Sequence, residues 1–146
     1  MTGAGGSIIV TDAGFAVPVP GERFVPLAIL GEATPRAVDL APEDDPAALA
    51  PLLHAIAAIR IAFPVFSDGR GFSLARDLRR MGFRGRLRAA GHLIADQYPL
   101  ARACGFDEVE IGAELAARQP EADWRCAACR GRGYLDRIKG PEPNPG

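Results

Sequence analysis

Residues 59–90 read IRIAFPVFSDGRGFSLARDLRRMGFRGRLRAA, and this stretch decides the fold. Its first part, Ile59–Phe66, is rich in β-branched and aromatic residues, which predicts a buried strand. Apolar residues at helical spacing follow, and they predict a helix that is capped by Ser73 and stops at Gly82. A second strand, Arg86–Ala90, completes a strand–helix–strand unit. Such a unit is typical of neighbouring parallel strands.

The same unit recurs on both sides of this stretch, so that the order is βαβαβαβα from residue 37 to 118. Right-handed crossovers between neighbouring parallel strands are the rule for such a pattern. The sequence therefore predicts one α/β domain with a mostly parallel sheet of repeated βα units, either an open doubly wound sheet or half-barrel-like. The further predicted strands are Phe24–Leu30, Ala37–Leu40 and Glu108–Ile111, and the further predicted helices begin at Asp45, Asp96 and Ala113.

The two ends of the chain are expected to differ from this regular part. Residues 1–22 are rich in glycine and proline and predict a flexible N-terminal arm, which can include an edge hairpin, with short β-like pieces at Ser7–Thr11 and Phe15–Val19. Residues 23–138 form the predicted single α/β domain, in which the part after Pro120 is interpreted as a tail. Residues 139–146 contain three prolines and predict a disordered end.

Composition limits the class of protein. A chain of 146 residues fits one domain, and its net charge of -1 predicts no strong attraction to nucleic acid or to an anionic membrane. No apolar run is long enough to span a bilayer, and the N-terminus does not resemble a secretory signal. Three cysteines without an export signal favour reduced thiols and a cytoplasmic location.

The arginines are concentrated in the middle of the chain. Residues 67–92 contain seven arginines and two acidic residues. This excess indicates either solvated helix faces and loop ends or a local site for an anion or a partner. In parallel α/β folds, sites form where loops follow the carboxyl ends of the strands. The glycine-rich loop after the strongest strand lies at such a place and opens a helix, which favours an anion.

The predicted anion or partner site combines this loop with the end of the next strand and with the loop that follows that strand. Its residues are Asp68, Gly69, Arg70, Gly71, Arg88, Gly91, Asp96 and Gln97. Arg88 has two possible roles, since it can point into the cleft or form a salt bridge below it. Asp96 can act with His92 in acid–base chemistry or only cap the helix that it opens. The sequence identifies no catalytic residue and leaves open whether the protein is an enzyme.

A Cys-x-x-Cys string near the C-terminus has three interpretations. Cys126 and Cys129 begin a C-x-x-C-x-G-x-G unit, which matches the repeated unit in the zinc domains of certain co-chaperones. Zinc needs four ligands, and this chain has one copy of the unit, so we expect no metal. The pair is interpreted as structural thiols, with redox chemistry as an alternative.

Several motifs together resemble a known bacterial family. They are FPVFSDGRGFSLARDLR (residues 63–79), GRLRAAG (residues 85–91), Asp96-Gln97 and Gly105-Phe106-Asp107. This combination is similar to the domain-of-unknown-function 934 family, whose members are commonly encoded beside assimilatory sulfite reductase and labelled as probable oxidoreductases. The resemblance implies a place in that pathway. The family motif corresponds here to Asp68, Gly69, Arg70, Gly71, Arg79, Arg88, Gly91, Asp96 and Gln97.

The resemblance and the arginines lead to one expected function and two alternatives. The protein is expected to be an accessory protein of assimilatory sulfate and sulfite reduction, with an arginine-rich pocket for a small oxyanion or a partner such as sulfite reductase. One alternative is a non-catalytic interaction module for a sulfite reductase, and the other is a thiol redox carrier that uses Cys126 and Cys129. No flavin, nicotinamide or iron–sulfur motif is evident, so no cofactor is expected.

Overall fold

The computed structural model describes residues 6–30, 36–65 and 69–139, and it describes side chains as far as Arg130. Its strands are β1 (Ser7–Thr11), β2 (Gly14–Ala16), β3 (Val25–Pro26), β4 (Ala37–Leu40), β5 (Ala58–Phe63), β6 (Arg86–Gly91) and β7 (Glu108–Gly112). Its α-helices are α1 (Arg70–Arg80), α2 (Tyr98–Cys104), α3 (Ala113–Arg118) and α4 (Glu121–Lys139). Short 3₁₀ helices cover Leu27–Ile29, Pro46–Ala55 and Ala95–Gln97.

All seven strands form one open sheet in the order β2-β1-β7-β6-β5-β4-β3. The pairs from β3 to β7 are parallel and follow the order of the sequence, which confirms the predicted α/β fold. A doubly wound sheet would need a reversal of strand order, and the parallel strands contain none. The sheet is therefore open, with its parallel strands in sequential order. The buried residues of α1, α2 and α4 share one core cluster with Ile59, Ile61 and Phe63, so these helices pack on one face of the sheet.

Side chains alternate in direction along each strand, so the sheet has two different faces. Ile59, Ile61 and Phe63 of β5 point to the helices and are at most 1% exposed. Leu87 and Ala89 of β6 lie on the same face and are fully buried. On the opposite face, among the described residues, helices reach only as far as Glu114 of α3 and Ala28 of the first 3₁₀ helix, which border its pockets. We call this opposite face the open face, and it bears the polar residues of these strands.

Residues 7–16 form the edge hairpin that the sequence allows, and they belong to the sheet and not to a flexible arm. β1 pairs antiparallel with β7, and β2 pairs antiparallel with β1. Val10 is fully buried because its side chain joins the core on the helix side. The predicted strand Phe24–Leu30 is only two residues long as β3, since Pro26 cannot donate to a ladder and a 3₁₀ helix follows.

The segment after Pro120 is a 19-residue helix, although it was interpreted as a tail. α4 packs on α2, where Trp124 is fully buried with its ring 6.1 Å from that of Tyr98. Glu121 accepts a hydrogen bond from the Phe15 amide at 2.8 Å, which joins α4 to β2. No helix in the described ranges is long and apolar enough to cross a membrane. Of the predicted disordered end, residues 139–146, only Lys139 lies within the described residues.

The predicted helix ends agree with the structure better than the predicted helix starts. Gly82 and Gly105 follow α1 and α2 with φ angles of 104° and 113°, the left-handed conformation that stops a helix. α1, however, begins at Arg70, so Ser73 lies inside it and is not its cap. Asp45 accepts a hydrogen bond from the Ala47 amide at 3.0 Å as predicted, but Pro51 keeps this segment in 3₁₀ form.

Candidate functional site

A row of charged side chains crosses the open face from strand to strand. The strand register aligns Asp39 of β4 with Arg60 of β5, Arg60 with Arg88 of β6, and Arg88 with Glu108 of β7. Arg60 donates to the Asp39 carboxylate at 2.6 and 2.8 Å and to Glu110 at 3.1 Å. Each charged group therefore has a partner of opposite sign on a neighbouring strand.

Arg88 is the centre of this row and is only 3% exposed. Its three guanidinium nitrogens each contact a different carboxylate. Nε donates to Glu108 at 2.6 Å, Nη1 to Glu110 at 2.9 Å and Nη2 to Glu22 at 2.7 Å. Of the two predicted roles, the structure gives Arg88 the salt bridge, and it does not point to the carboxyl ends of the strands.

A segment without regular structure, residues 17–24, covers part of the open face, and we call it the strap. Its Glu22 carboxylate contacts both Arg86 and Arg88. The ring of its Phe24 lies under two guanidinium groups, 4.4 Å from that of Arg60 and 5.1 Å from that of Arg88. We use the name charge ladder for the set Glu22, Asp39, Arg60, Arg86, Arg88, Glu108 and Glu110.

In the charge ladder, ion pairing changes the pKa values of the carboxylates more than burial does. Burial alone would raise the pKa of Glu22, but hydrogen bonds from Arg86 and Arg88 hold this pKa below its ordinary value. Burial likewise acts to raise the pKa of Glu110, but the charge of Arg60 and a hydrogen bond from Arg88 hold this pKa below its ordinary value. Both carboxylates are thus ionised in the folded protein at neutral pH.

These lowered pKa values make the fold sensitive to acid. A carboxylate whose pKa is lowered by folding stabilises the protein fully above its unfolded pKa of about 4.5, and this stabilisation is lost as the pH falls through the lower folded pKa. We expect the free energy of unfolding to decrease between about pH 5 and pH 3. Urea unfolding across this range measures it. Glu22→Gln should show a smaller decrease, and an equal decrease would contradict the role of Glu22.

Two adjoining pockets lie on the open face. One, of about 610 Å³, is bordered by the strap residues Pro18, Val19, Glu22 and Phe24 and by Arg60, Arg88 and Glu114. The other, of about 730 Å³, lies at the carboxyl ends of the parallel strands, over a floor that includes Ala62, Ala90 and Gly112. Its charged lining residues are Asp39, Glu43, Asp44, Glu110 and Arg60. The pocket at the strand ends thus has an excess of negative charge among its described residues.

The glycine-rich loop of the predicted site is only partly described. Asp68 lies outside the described residues. Gly69 precedes α1, and Arg70 is exposed in its first turn. Gly71 is buried, and a Cβ atom there would overlap the Phe63 ring, so this glycine serves packing between α1 and β5.

The remaining predicted residues lie apart from Arg88. Gly91 ends β6 with a φ angle of 126°, and a Cβ atom there would meet the Phe63 carbonyl. Asp96 is largely exposed and pairs with Arg130 of α4 at 3.3 Å. The Gln97 side chain accepts a hydrogen bond from the Ile94 amide at 3.0 Å and so closes a turn before α2. The described residues of the predicted site therefore do not converge with Arg88 on one pocket.

The arginine side chains of residues 67–92 lie in three different environments. Arg86 and Arg88 belong to the charge ladder, while Arg70, Arg76, Arg80 and Arg84 are exposed at or beyond α1. Arg79 donates to the carbonyl groups of Phe83, Gly85 and Gly105 and to Asp107. It thereby fixes the turns before β6 and β7. This accounts structurally for one residue of the family motif.

The two cysteines of the Cys-x-x-Cys string are exposed on α4. The helix begins at Glu121, so Cys126 lies in its second turn and Cys129 further along. Neither thiol is at a helix N-terminus, where the free amides would favour a thiolate. No cluster of three or more metal-ligating side chains occurs among the residues that the structure describes.

We expect replacement of both cysteines to leave function unchanged. Both side chains are exposed, so Cys126→Ser/Cys129→Ser should alter the free energy of unfolding by less than about 0.5 kcal/mol. The measurement is complementation of a deletion strain for growth on sulfate, with the level of the variant checked. Loss of growth with a folded double variant would instead favour the thiol redox carrier.

The side chains of the charge ladder other than Arg88 were not predicted as site residues. The sequence carries a signal for them, since Arg86-Leu-Arg88 and Glu108-Val-Glu110 place opposite charges at alternate positions of neighbouring strands. Glu22 and Phe24 have no such signal, because an irregular segment brings them to the sheet.

Comparison with known proteins identifies a family but no individual relative. No curated protein and no solved structure matches the chain. Residues 37–137 match the family described as "Bacterial protein of unknown function (DUF934)", and this match runs from β4 into α4 and includes most of the charge ladder. It covers well over half of the chain, so the protein belongs to this bacterial family of unknown function.

Proposed function

We propose that the protein is a non-catalytic accessory module that binds a sulfite reductase and does so through the open face of its sheet. The observation that carries the proposal is that helices of the described chain only border this face, which holds two adjoining pockets. The place in sulfite reduction comes from the family resemblance. Among the interpretations of the sequence, this geometry favours the interaction module, since the arginines of the face are already paired with carboxylates.

The partner surface should be basic and partly apolar. The pocket at the strand ends is bordered by four carboxylates and one arginine, and that arginine is held by Asp39 and Glu110. Complementary charge steers association and suppresses wrong partners. Val19, which borders the first pocket, is 59% exposed, and Ile29, which follows the pocket-lining Ala28 in the chain, is 70% exposed. Exposed apolar groups within a polar surround are typical of protein interaction sites.

The outer side of α1 is the competing surface, since it carries exposed arginines that would suit an acidic partner. Arg80 there pairs with Asp77 at 3.6 Å, and Met81 is the exposed apolar residue at the end of the helix. The pocket beside this surface, which Asp77, Arg80 and Met81 border, holds about 270 Å³, less than half the volume of either pocket on the open face. We therefore assign the docking role to the open face.

We expect Glu43→Lys/Ile29→Asp to weaken binding of the sulfite reductase of the same bacterium at least ten-fold. Both side chains are exposed, so the variant should fold as the unchanged protein does. The matched control is Asp123→Lys/Met81→Asp, which makes the same kinds of change on the helix side. Biolayer interferometry with purified proteins measures both. Equal weakening by the two variants, or none by the first, would contradict docking through the open face.

A growth experiment tests the place in the pathway separately. A deletion strain should grow on sulfide or cysteine and fail on sulfate and sulfite as sole sulfur source. The Glu43→Lys/Ile29→Asp variant should fail to complement it, and the control variant should succeed. Normal growth of the deletion strain on sulfite would contradict the link to sulfite reduction.

A further inference from the structure

The strap is attached to the open face by side chains and not by backbone pairing. Its Pro18 and Pro20 have no amide hydrogen to donate, and the backbone hydrogen bond within it joins Glu22 to Val19 at 3.3 Å. No backbone hydrogen bond links residues 17–24 to the sheet in the described part of the chain. Val17 is 84% exposed. Glu22 and Phe24 are thus the main anchors of the strap on this face.

Glu22 is the member of the charge ladder that can leave without disturbing a strand. Asp39, Glu108 and Glu110 are strand residues with fixed positions in the sheet. Glu22 instead belongs to the irregular strap, and its two carboxylate oxygens are held by Arg86 and Arg88, one oxygen to each guanidinium. Two guanidinium groups that together hold two oxygens of one anion are the arrangement that recognises carboxylate, sulfate and phosphate groups.

Replacement of Glu22 by another anion is compatible with the charges of the ladder. The strands alone contribute three arginines and three carboxylates, so they are balanced without the strap. When Glu22 leaves, one Nη2 nitrogen of Arg86 and one of Arg88 lose their acceptor. The Arg88 side chain is only 4% exposed, and a buried donor without an acceptor is unfavourable. The adjoining pocket of about 610 Å³ gives ample room for a small anion.

We infer that Arg86 and Arg88 form a binding site for a small oxyanion, which the Glu22 carboxylate fills in this structure and which opens when the strap leaves. The strap therefore acts as a built-in competitor for this site. The inference goes beyond the docking role and does not depend on it, because it concerns the arginines under the strap and not the acidic residues at the strand ends.

The test compares sulfate binding by variants, with sulfate as the probe and sodium chloride as the ionic-strength control. Glu22→Ala should bind sulfate with a dissociation constant of about 1 mM, at least ten-fold tighter than the unchanged protein. Glu114→Ala is the matched control, since it removes an exposed negative charge beside the same pocket and should bind no tighter than the unchanged protein. ¹⁵N-resolved NMR titration reports both the affinity and the Arg86 and Arg88 signals.

A second variant shows whether the arginines provide the site. Glu22→Ala/Arg86→Ala should lose the gain in sulfate affinity, and Arg86 is exposed enough, at 41% of its side chain, for its removal to leave the fold intact. If Glu22→Ala does not fold, Glu22→Gln keeps the shape of the side chain and should show a gain in the same direction. Equal affinity in the Glu22 and Glu114 variants, or a gain that survives loss of Arg86, would overturn the inference.

Discussion

Arg88→Ala should lower the free energy of unfolding by about 3–5 kcal/mol, the cost of removing one partner from a buried ion-pair network. Arg88 donates to three carboxylates, and its loss leaves four carboxylates of the charge ladder to share Arg60 and Arg86. Arg88→Lys should recover little, because one ammonium group cannot reach three acceptors that lie in different directions. Urea unfolding followed by the fluorescence of the buried Trp124 measures the loss.

Two controls separate this effect from a general loss of charge. Arg80→Ala removes an exposed arginine whose contact with Asp77 is 3.6 Å long, and it should cost less than about 0.5 kcal/mol. Arg88→Leu/Glu108→Leu removes a charge of each sign and should recover part of the stability lost in Arg88→Ala. Similar losses for Arg88→Ala and Arg80→Ala would show that the charge ladder contributes little to the fold.

Ile61→Asp should leave the protein unfolded or insoluble, whereas Ala62→Asp next to it should fold. Ile61 is fully buried against the helices, so an aspartate there loses apolar packing and places a charge without a partner in the core, at a cost of several kcal/mol. Ala62 is exposed on the open face, and the same substitution should cost less than about 1 kcal/mol. Soluble yield and circular dichroism measure both. Similar melting of the two variants would contradict the assignment of the two faces.

The regular part of the fold could be predicted because local patterns decide it. The spacing of apolar residues predicts strands β4 to β7. The ends of α1 and α2 follow from Gly82 and Gly105, which adopt the left-handed conformation. The pairing of β1 with β7 has no local signal, because it joins residues far apart in the chain. α4 was missed since Gly131 and Gly133 weaken the helical pattern, and its packing on α2 stabilises it instead.

The predicted site residues were chosen from the loops, while the charged groups that the structure brings together lie on the strands and the strap. Loop residues such as Gly71 and Gln97 turned out to serve packing and a turn. Arg88 could be selected from the motif, but its direction depends on which side of the sheet the helices cover. The side that the helices cover follows from the sequential order of the strands. The sequence is compatible with two topologies and therefore does not decide this order.

The antiparallel pairing of β1 with β7 has a consequence for synthesis on the ribosome. β1 emerges before its partner strand, which is made about 100 residues later, and this distance corresponds to roughly 5–20 s of translation. During that interval Ile8, Ile9 and Val10 have no strand to pair with, and an apolar strand in this condition is prone to aggregation. A nascent chain that is stalled before residue 108 should therefore bind chaperones through residues 8–10 and release them once β7 has emerged.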